Sequence, residues 1–266
     1  MSYIRLKTGL NADHIQERLT YHPEIIELHL VEDDLYHPER IVECVQWLKS
    51  KDVRVYLHHP MTYKGQYLDI ISSNQEMRDH YDWSCNVLAS ICQQEGIKCV
   101  IHCHYASSES SDYQDRAKRK ETRKRIETVL QICEKSFLWE DTTGGIFSAE
   151  NPFLLSEMVD PLQLPLNIDI SHSFIALKGD NQKLQKHLEG FCPYAKYFHV
   201  VDSMGVTHDS LPLGEGNIKW AMVKPYVKDT DFVFEINLSS SDHRDCTPMI
   251  RSADYFNRIK EAAFFK

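Results

Sequence analysis

The 266-residue chain contains no apolar run of about 18 residues or more, which excludes a membrane-spanning helix. None of its eight cysteines forms a CxxC pair, so they read as reduced thiols, mostly small buried hydrophobes. The opening residues, MSYIRLKTGLNADHIQ, lack the apolar core of a signal peptide, and a cytoplasmic location is expected. Glycine is sparse at 10 residues and nowhere forms a phosphate-cradling loop; no Ser/His/Asp triad pattern occurs either. Positive charge is in deficit: Lys+Arg 30 against Asp+Glu 39, a formal net charge of -9, makes a nucleic-acid partner unlike this composition. With 42% hydrophobic and 11% aromatic residues the chain is not disordered. Histidine, by contrast, is plentiful, at 14, with several copies set inside apolar runs such as LHHP and IHCHY.

Eight short segments rich in Val, Ile, Phe and Tyr recur along the chain: YIRLKTG, EIIELHL, VRVYLHHP, KCVIHCHY, SFLWEDTT, PLNIDISHS, KYFHVVDS and DFVFEINL. Helix-like stretches separate them, at Ala12–Thr20, Pro38–Ser50, Asn74–Gln94, Asp115–Lys135, Asn151–Val159, Asn181–Glu189, Asn217–Lys228 and Arg251–Phe264. Strict alternation argues for parallel βα units, and about 250 residues is the usual size of a closed (β/α)8 TIM barrel. An open doubly wound sheet is the alternative. No linker breaks the series, so residues 1–266 read as a single domain.

Strand side chains alternate between two faces. Glu27 and His29 oppose Ile26, Leu28 and Leu30; His102 and His104 oppose Cys99, Ile101 and Cys103. Glu140 opposes Phe137 and Trp139, Asp169 opposes Leu166, Ile168 and Ile170, and Glu235 opposes Phe232, Phe234 and Ile236. His199 can likewise face away from Phe198 and Val200. Nearly every strand thus carries an ionisable residue near its C-terminal end, on one consistent face. Buried carboxylates cost several kcal/mol each, to about that order, unless paired or bound to a cation. A divalent metal removes that cost, and mixed carboxylate and imidazole ligands suit Zn, Mn, Co or Fe, whereas an all-oxygen set suits Mg or Ca. The cofactor expected is a divalent metal, drawn from Mn, Zn, Co and Mg.

Four motifs in order, Glu140-Asp-Thr-Thr-Gly, Asp169-Ile-Ser-His172, His199-Val-Val-Asp202 followed by Leu211-Pro-Leu-Gly-Glu-Gly216, and Phe234-Glu235, give the chain a family likeness. It resembles the xylose isomerase-like barrels, a superfamily of sugar and sugar-phosphate isomerases and epimerases that also includes the DNA-repair enzyme endonuclease IV. The resemblance implies that Glu140, Asp169, His199 and Glu235 ligate the main metal. It also implies that Glu140 and Glu235 form the proton-transfer pair, and that His172 binds substrate oxygens or a further metal. His102 and a third-strand histidine are the ligands it offers for a second metal; His58, with its H-x-P pattern, is preferred there to His59, and His102 to His104.

One departure stands out. Endonuclease IV-like relatives carry an Asp-x-His pair before the LGEG turn, and here Thr207-His208-Asp209-Ser210-Leu211 has the wrong spacing. A third metal at His172 and His208 is therefore expected to be absent. The implied activity is a metal-dependent isomerase or epimerase of a sugar, sugar phosphate or related polyol ketone, passing through an enediolate. An endonuclease IV-like phosphodiesterase acting on abasic DNA is the alternative, and a non-catalytic binding barrel a third. Further substrate-binding candidates are Lys7, which reads equally as a charge partner of Glu27, His104, and Arg244 in the Ser239–Arg244 loop. The basic run at residues 118–125 reads as a solvated helix face interleaved with Glu121. The partner expected is a small carbohydrate, with no membrane contact; homo-oligomer formation stays open.

Overall fold

Parity and register decide what this chain brings together. The structure, a computed structural model, describes residues 3–105, 110–132, 136–238 and 243–260. Its strands are β1 (Arg5–Thr8), β2 (Ile25–His29), β3 (Arg54–His58), β4 (Lys98–His102), β5 (Phe137–Glu140), β6 (Leu166–Asp169), β7 (Ala195–Val200) and β8 (Asp231–Phe234). All neighbouring pairs are parallel, each strand pairs with the next, and β8 returns to β1 to close the barrel. Sheet order equals sequence order, which excludes the open doubly wound alternative. A short hairpin, Thr62–Tyr63 with Gln66–Tyr67, follows β3.

The outer layer comprises α1 (Ala12–Leu19), α2 (Pro38–Lys49), α3 (Gln75–Glu95), α4 (Arg116–Ile132), α5 (Asp160–Leu162), α6 (Ile170–Ala176), α7 (Asn181–Phe191), α8 (Trp220–Val227) and α9 (Thr247–Arg258). Local chemistry sets their ends. Asn11, Asn74 and Asp180 cap α1, α3 and α7 by accepting backbone N–H groups, and Gly96 ends α3 in the left-handed region at φ 65°.

Several boundaries differ from expectation, each for a visible reason. Ile170 is not a strand residue: Asp169 Oδ1 accepts the His172 amide at 2.8 Å, which starts α6 directly after β6. The helix expected over 151–159 forms only its second half, as a π-turn at Leu155–Val159 leading into α5; Asn151 accepts the Phe153 N–H as a cap would and donates from its amide to the Ile146 carbonyl. The stretch before α8 is tied off by Asn217 N donating to Ser203 O and Lys219 N to Asn181, so the helix starts at Trp220. The last helix starts at Thr247, with Pro248 in its first turn. The expected extensions over 133–135 and 261–264 lie outside the described residues. No disulfide forms among the described cysteines, most of which are buried. No helix among the described residues is long and apolar enough to cross a membrane.

The outward strand face, including Leu28, Leu57, Ile101, Trp139, Ile168, Phe198 and Phe234, packs into the main core under the helices. Inside the barrel the residues fall into two layers. At the N-terminal end Ile25, Val100, Leu138, Tyr197 and Val233 form an apolar plug with Tyr56 against it. Tyr56 stacks on Tyr197 at 4.2 Å and donates to Asp231, closing that end. Above the plug every inward position is polar. In-register pairs set Lys7 beside Glu27, His29 beside His58, His102 beside Glu140, and Asp169 beside His199. The ionisable layer therefore opens only toward the C-terminal strand ends.

The LPLGEG turn owes its sequence to folding. Asp202, two residues past β7, accepts from Ser203 N and Ile218 N on one oxygen and from Gly214 N and the Trp220 indole on the other. A Cβ on Gly216 would drive into that same carboxylate and the Ser203 carbonyl. Gly216→Ala should therefore cost about 1–3 kcal/mol of stability, read as a lower urea midpoint. An unchanged midpoint would show that the clasp can shift.

Candidate metal centre

Three carboxylates and one imidazole meet at the centre of the ionisable layer. Ligand-capable atoms of Glu140, Asp169, His199 and Glu235 all lie within 4.8 Å of one another. His199 Nδ1 is 3.1 Å from Glu140 Oε1 and 3.8 Å from Asp169 Oδ2, and touches Glu235 Oε2. Glu140 is 1% exposed and Asp169 and His199 are 0%, whereas the Glu235 side chain keeps 24% of its surface. Only Glu235 of the four therefore retains substantial access to solvent.

The orientation of each donor has a local cause. His199 Nε2–H donates to Glu27 Oε2 at 2.9 Å, which turns Nδ1 toward the carboxylates. Asp169 gives Oδ1 to the His172 amide, leaving Oδ2, buried and without a hydrogen-bond partner, aimed at the cluster. Asp141, next to Glu140, accepts the Asp169 backbone N–H at 2.8 Å and the Ser173 hydroxyl at 2.6 Å, and so braces the β5–β6 edge. Lys7 reaches Glu27 at 3.0 Å and Glu235 at 2.5 Å.

The electrostatics reflect crowded carboxylates. Burial pushes Asp169 up to about 7, and the nearby Glu235 and Glu140 charges add to the shift. Burial opposes charge on His199, but Glu140, Glu235 and Glu27 outweigh it and hold the imidazole well above its usual range. Burial likewise disfavours the charges of Lys7 and Glu235. Glu235 and Glu27 hold Lys7 above the ordinary lysine range, while His199 and Lys7 hold Glu235 well below the carboxylate range. A cation bound by the four residues would take over the role of a proton on His199 in offsetting these carboxylates. Mixed oxygen and nitrogen donors, an unsatisfied buried carboxylate oxygen and a carboxylate-backed imidazole together fit a divalent metal ion.

Two further groups flank the centre. His58 Nε2 and His102 Nε2 approach Glu140 Oε2 at 3.3 and 3.0 Å. His59 turns outward to Ser84 and the Pro60 carbonyl, and His104 Nε2 accepts from Phe147 N, so neither joins the cluster. His172 donates from Nδ1 to the Asp141 carbonyl at 2.8 Å, leaving Nε2 3.2 Å from His208 Nε2. Asp169, His172 and His208 form a third ligand-capable group, against the expectation drawn from the Asp-x-His spacing. The loop after β7 delivers His208 although its register differs. The signal missed was that a loop fixes position through its clasp, here Asp202, rather than through residue count.

A cavity of about 320 Å³ opens above the centre, reaching Glu140, Glu235, His58, His102, His172 and His208, with Tyr67 and Tyr105 at its mouth. Lys7 lies below the centre, 8% exposed and engaged by two carboxylates. Arg244 is exposed and does not line the cavity; its carbonyl accepts from Arg18. The loop residues 239–242 lie outside the described residues. In the basic run, Arg119, Arg123 and Arg125 pair with Glu157, Glu127 and Asp82. Glu27 and Asp141 are the positioning residues to which sequence reading gave no role at the centre.

Glu27→Gln keeps the shape but removes the charge behind His199. Metal affinity should fall about 10–100-fold with the thermal midpoint of the metal-free protein little changed. Competition with a chromogenic chelator checks this, and undiminished affinity would remove Glu27 from the support of the centre.

The class these features define is a closed (β/α)8 barrel with a ligand-rich centre at its C-terminal strand ends. Residues 24–252 match the family described as xylose isomerase-like TIM barrel, and the chain belongs to that family. Among solved structures it is similar to a D-tagatose 3-epimerase-like protein, with TM-score 0.74, 15% identity and 96% of each chain covered. It is also similar to a D-psicose 3-epimerase from Clostridium cellulolyticum with D-tagatose, at TM-score 0.69, 12% identity and 98% of each chain. A Thermus thermophilus protein soaked with ZnCl2 matches at TM-score 0.72, 16% identity and 97% of each chain. At these identities the likeness is one of fold. No curated protein matches the sequence.

Proposed function

We propose that the protein is a metal-dependent isomerase or epimerase of a small polyhydroxy carbonyl compound, a sugar or sugar derivative. The observation that carries this reading is the pairing of Glu140 and Glu235. They come from β5 and the end of β8, share the centre with Asp169 and His199, and both open on the cavity. A cation bound by these four residues would polarise a substrate carbonyl and stabilise the negative charge that develops on its oxygen. Glu235, ionised and partly accessible, takes a proton from the carbon beside the carbonyl. Glu140, held by His58, His102 and His199, faces the substrate from the other strand and returns or relays the proton. His172 orients a hydroxyl through Nε2. The apolar plug beneath keeps bulk water from entering along the barrel axis. The carbohydrate 3-epimerases among the fold relatives support this reading by analogy.

The test is exchange of a carbon-bound proton with deuterated solvent, screened over ketoses, aldoses and their phosphates. Exchange that needs added divalent metal is the expected result; none on any sugar tested would sink the reading.

The His208 position favours a second reading, a phosphodiesterase with three metals. Three ligand-capable groups, overlapping at Glu140, Asp169 and His199, surround one cavity, as such chemistry would use. About three tightly held zinc ions per chain, with metal-dependent nicking of an abasic duplex, would establish it in place of the first.

A further inference from the structure

We infer that the substrate is an uncharged polyol ketone or aldehyde, free of phosphate. This rests on the isomerase reading and deepens it. Eleven residues line the cavity: two glutamates, four histidines, two tyrosines, two threonines and a methionine. No lysine or arginine is among these described lining residues.

A terminal phosphate carries a charge of about −1.5 to −2 near neutral pH and is normally met by arginine, lysine or a row of backbone N–H groups. Here the lysine near the centre, Lys7, lies beneath it and is engaged by Glu27 and Glu235. Glu27, Glu140, Asp169 and Glu235 are four carboxylates against that one ammonium, so a divalent cation still leaves the centre formally negative. A dianion entering from the mouth would meet a field of its own sign.

The mouth is built for the opposite kind of group. The Tyr67 and Tyr105 rings stand 5.1 Å apart, and Tyr105 lies 4.5 Å from the His102 ring. These aromatic surfaces, with Met61 beside them, suit the C–H face of a polyol chain and supply no fixed positive charge to a phosphate. The volume of about 320 Å³ is at the lower end of small-molecule sites and matches a single sugar unit.

The experiment compares matched pairs on the manganese-loaded protein. Deuterium exchange is measured on free pentuloses and hexuloses and on their terminal phosphates. In parallel, calorimetry measures the affinity for xylitol, for xylitol 5-phosphate, and for inorganic phosphate, which reports phosphate captured by the cation alone. The expected result is exchange on at least one free ketose with kcat/KM about 100-fold or more above that of its phosphate. Xylitol should also bind more tightly than its phosphate. A phosphorylated ketose used equally well or better would overturn the inference and leave the isomerase reading standing. If no sugar of either kind exchanges, the isomerase reading fails, and the binding order decides the inference: tighter binding of xylitol 5-phosphate than of xylitol, beyond that of inorganic phosphate, overturns it.

Discussion

Glu235→Gln should retain metal and lose proton exchange by about 100-fold or more. The substitution keeps the side-chain shape and one oxygen that can still ligate, but it removes the carboxylate that accepts a proton. Glu235 is the carboxylate of the cluster with 24% of its side chain exposed, whereas Glu140 is enclosed at 1% with three imidazoles within 3.3 Å. His199 and Lys7 outweigh the effect of burial and hold Glu235 ionised, so the group stands without a proton of its own. The loss should fall on kcat with KM little moved, since the missing interaction belongs to the transition state. The check is single-substrate exchange kinetics together with elemental analysis. If the variant keeps metal and exchanges within about threefold of the wild-type rate, Glu235 is not the base. A duplex-nicking activity lost in Glu140→Ala, with no carbon-bound exchange in the wild type, would move the assignment to phosphodiester chemistry.

Much of this centre was legible from alternation alone. Each inward ionisable residue sits one position out of phase with an apolar run, and a closed barrel turns that phase into convergence. His58 and His102 joined the inner face because they share parity with Tyr56 and Val100, and both face Glu140. Parity could not say how the donors are aimed. The Nδ1 orientation of His199 depends on Glu27, 172 residues away in sequence, and the free oxygen of Asp169 depends on a helix cap inside what read as strand. Loop residues were less legible still. His208 arrives through a turn held by Asp202, and spacing counted from LGEG does not register that clasp.

The fold was legible for the same reason that its helix ends were not. Eight apolar segments in alternation with helical stretches leave few topologies, and the short connections leave only one that closes. Helix boundaries answer to single hydrogen bonds. Asn151 makes the cap-like bond from Phe153 N that its type suggests, but the chain then widens into a π-turn before Pro161. Lys7 shows how a face assignment can be right while the role stays open: it points into the barrel, where Glu27 and Glu235 engage it.

Metal uptake should depend steeply on pH, with a change of slope near pH 7. In the metal-free protein two protons stand in the cation's way. One is on His199, whose imidazole Glu140, Glu235 and Glu27 hold well above its usual range despite burial. The other is on Asp169, raised by burial and by Glu235 and Glu140 to about 7. Below about pH 7 the Asp169 proton must leave as well as that of His199, so affinity should rise more steeply with pH there than above it. The stability of the metal-free protein moves the other way. Asp169 binds its proton more tightly folded than unfolded, so its contribution is full below about pH 4 and is lost as pH rises through about 7. Added metal restores that stability at the alkaline end, where it no longer competes with the Asp169 proton. Calorimetry of zinc binding in buffers of different ionisation enthalpy counts the protons directly. More protons released near pH 6 than near pH 8 is expected, and an affinity flat across that range would mean that His199 and Asp169 do not hold the metal.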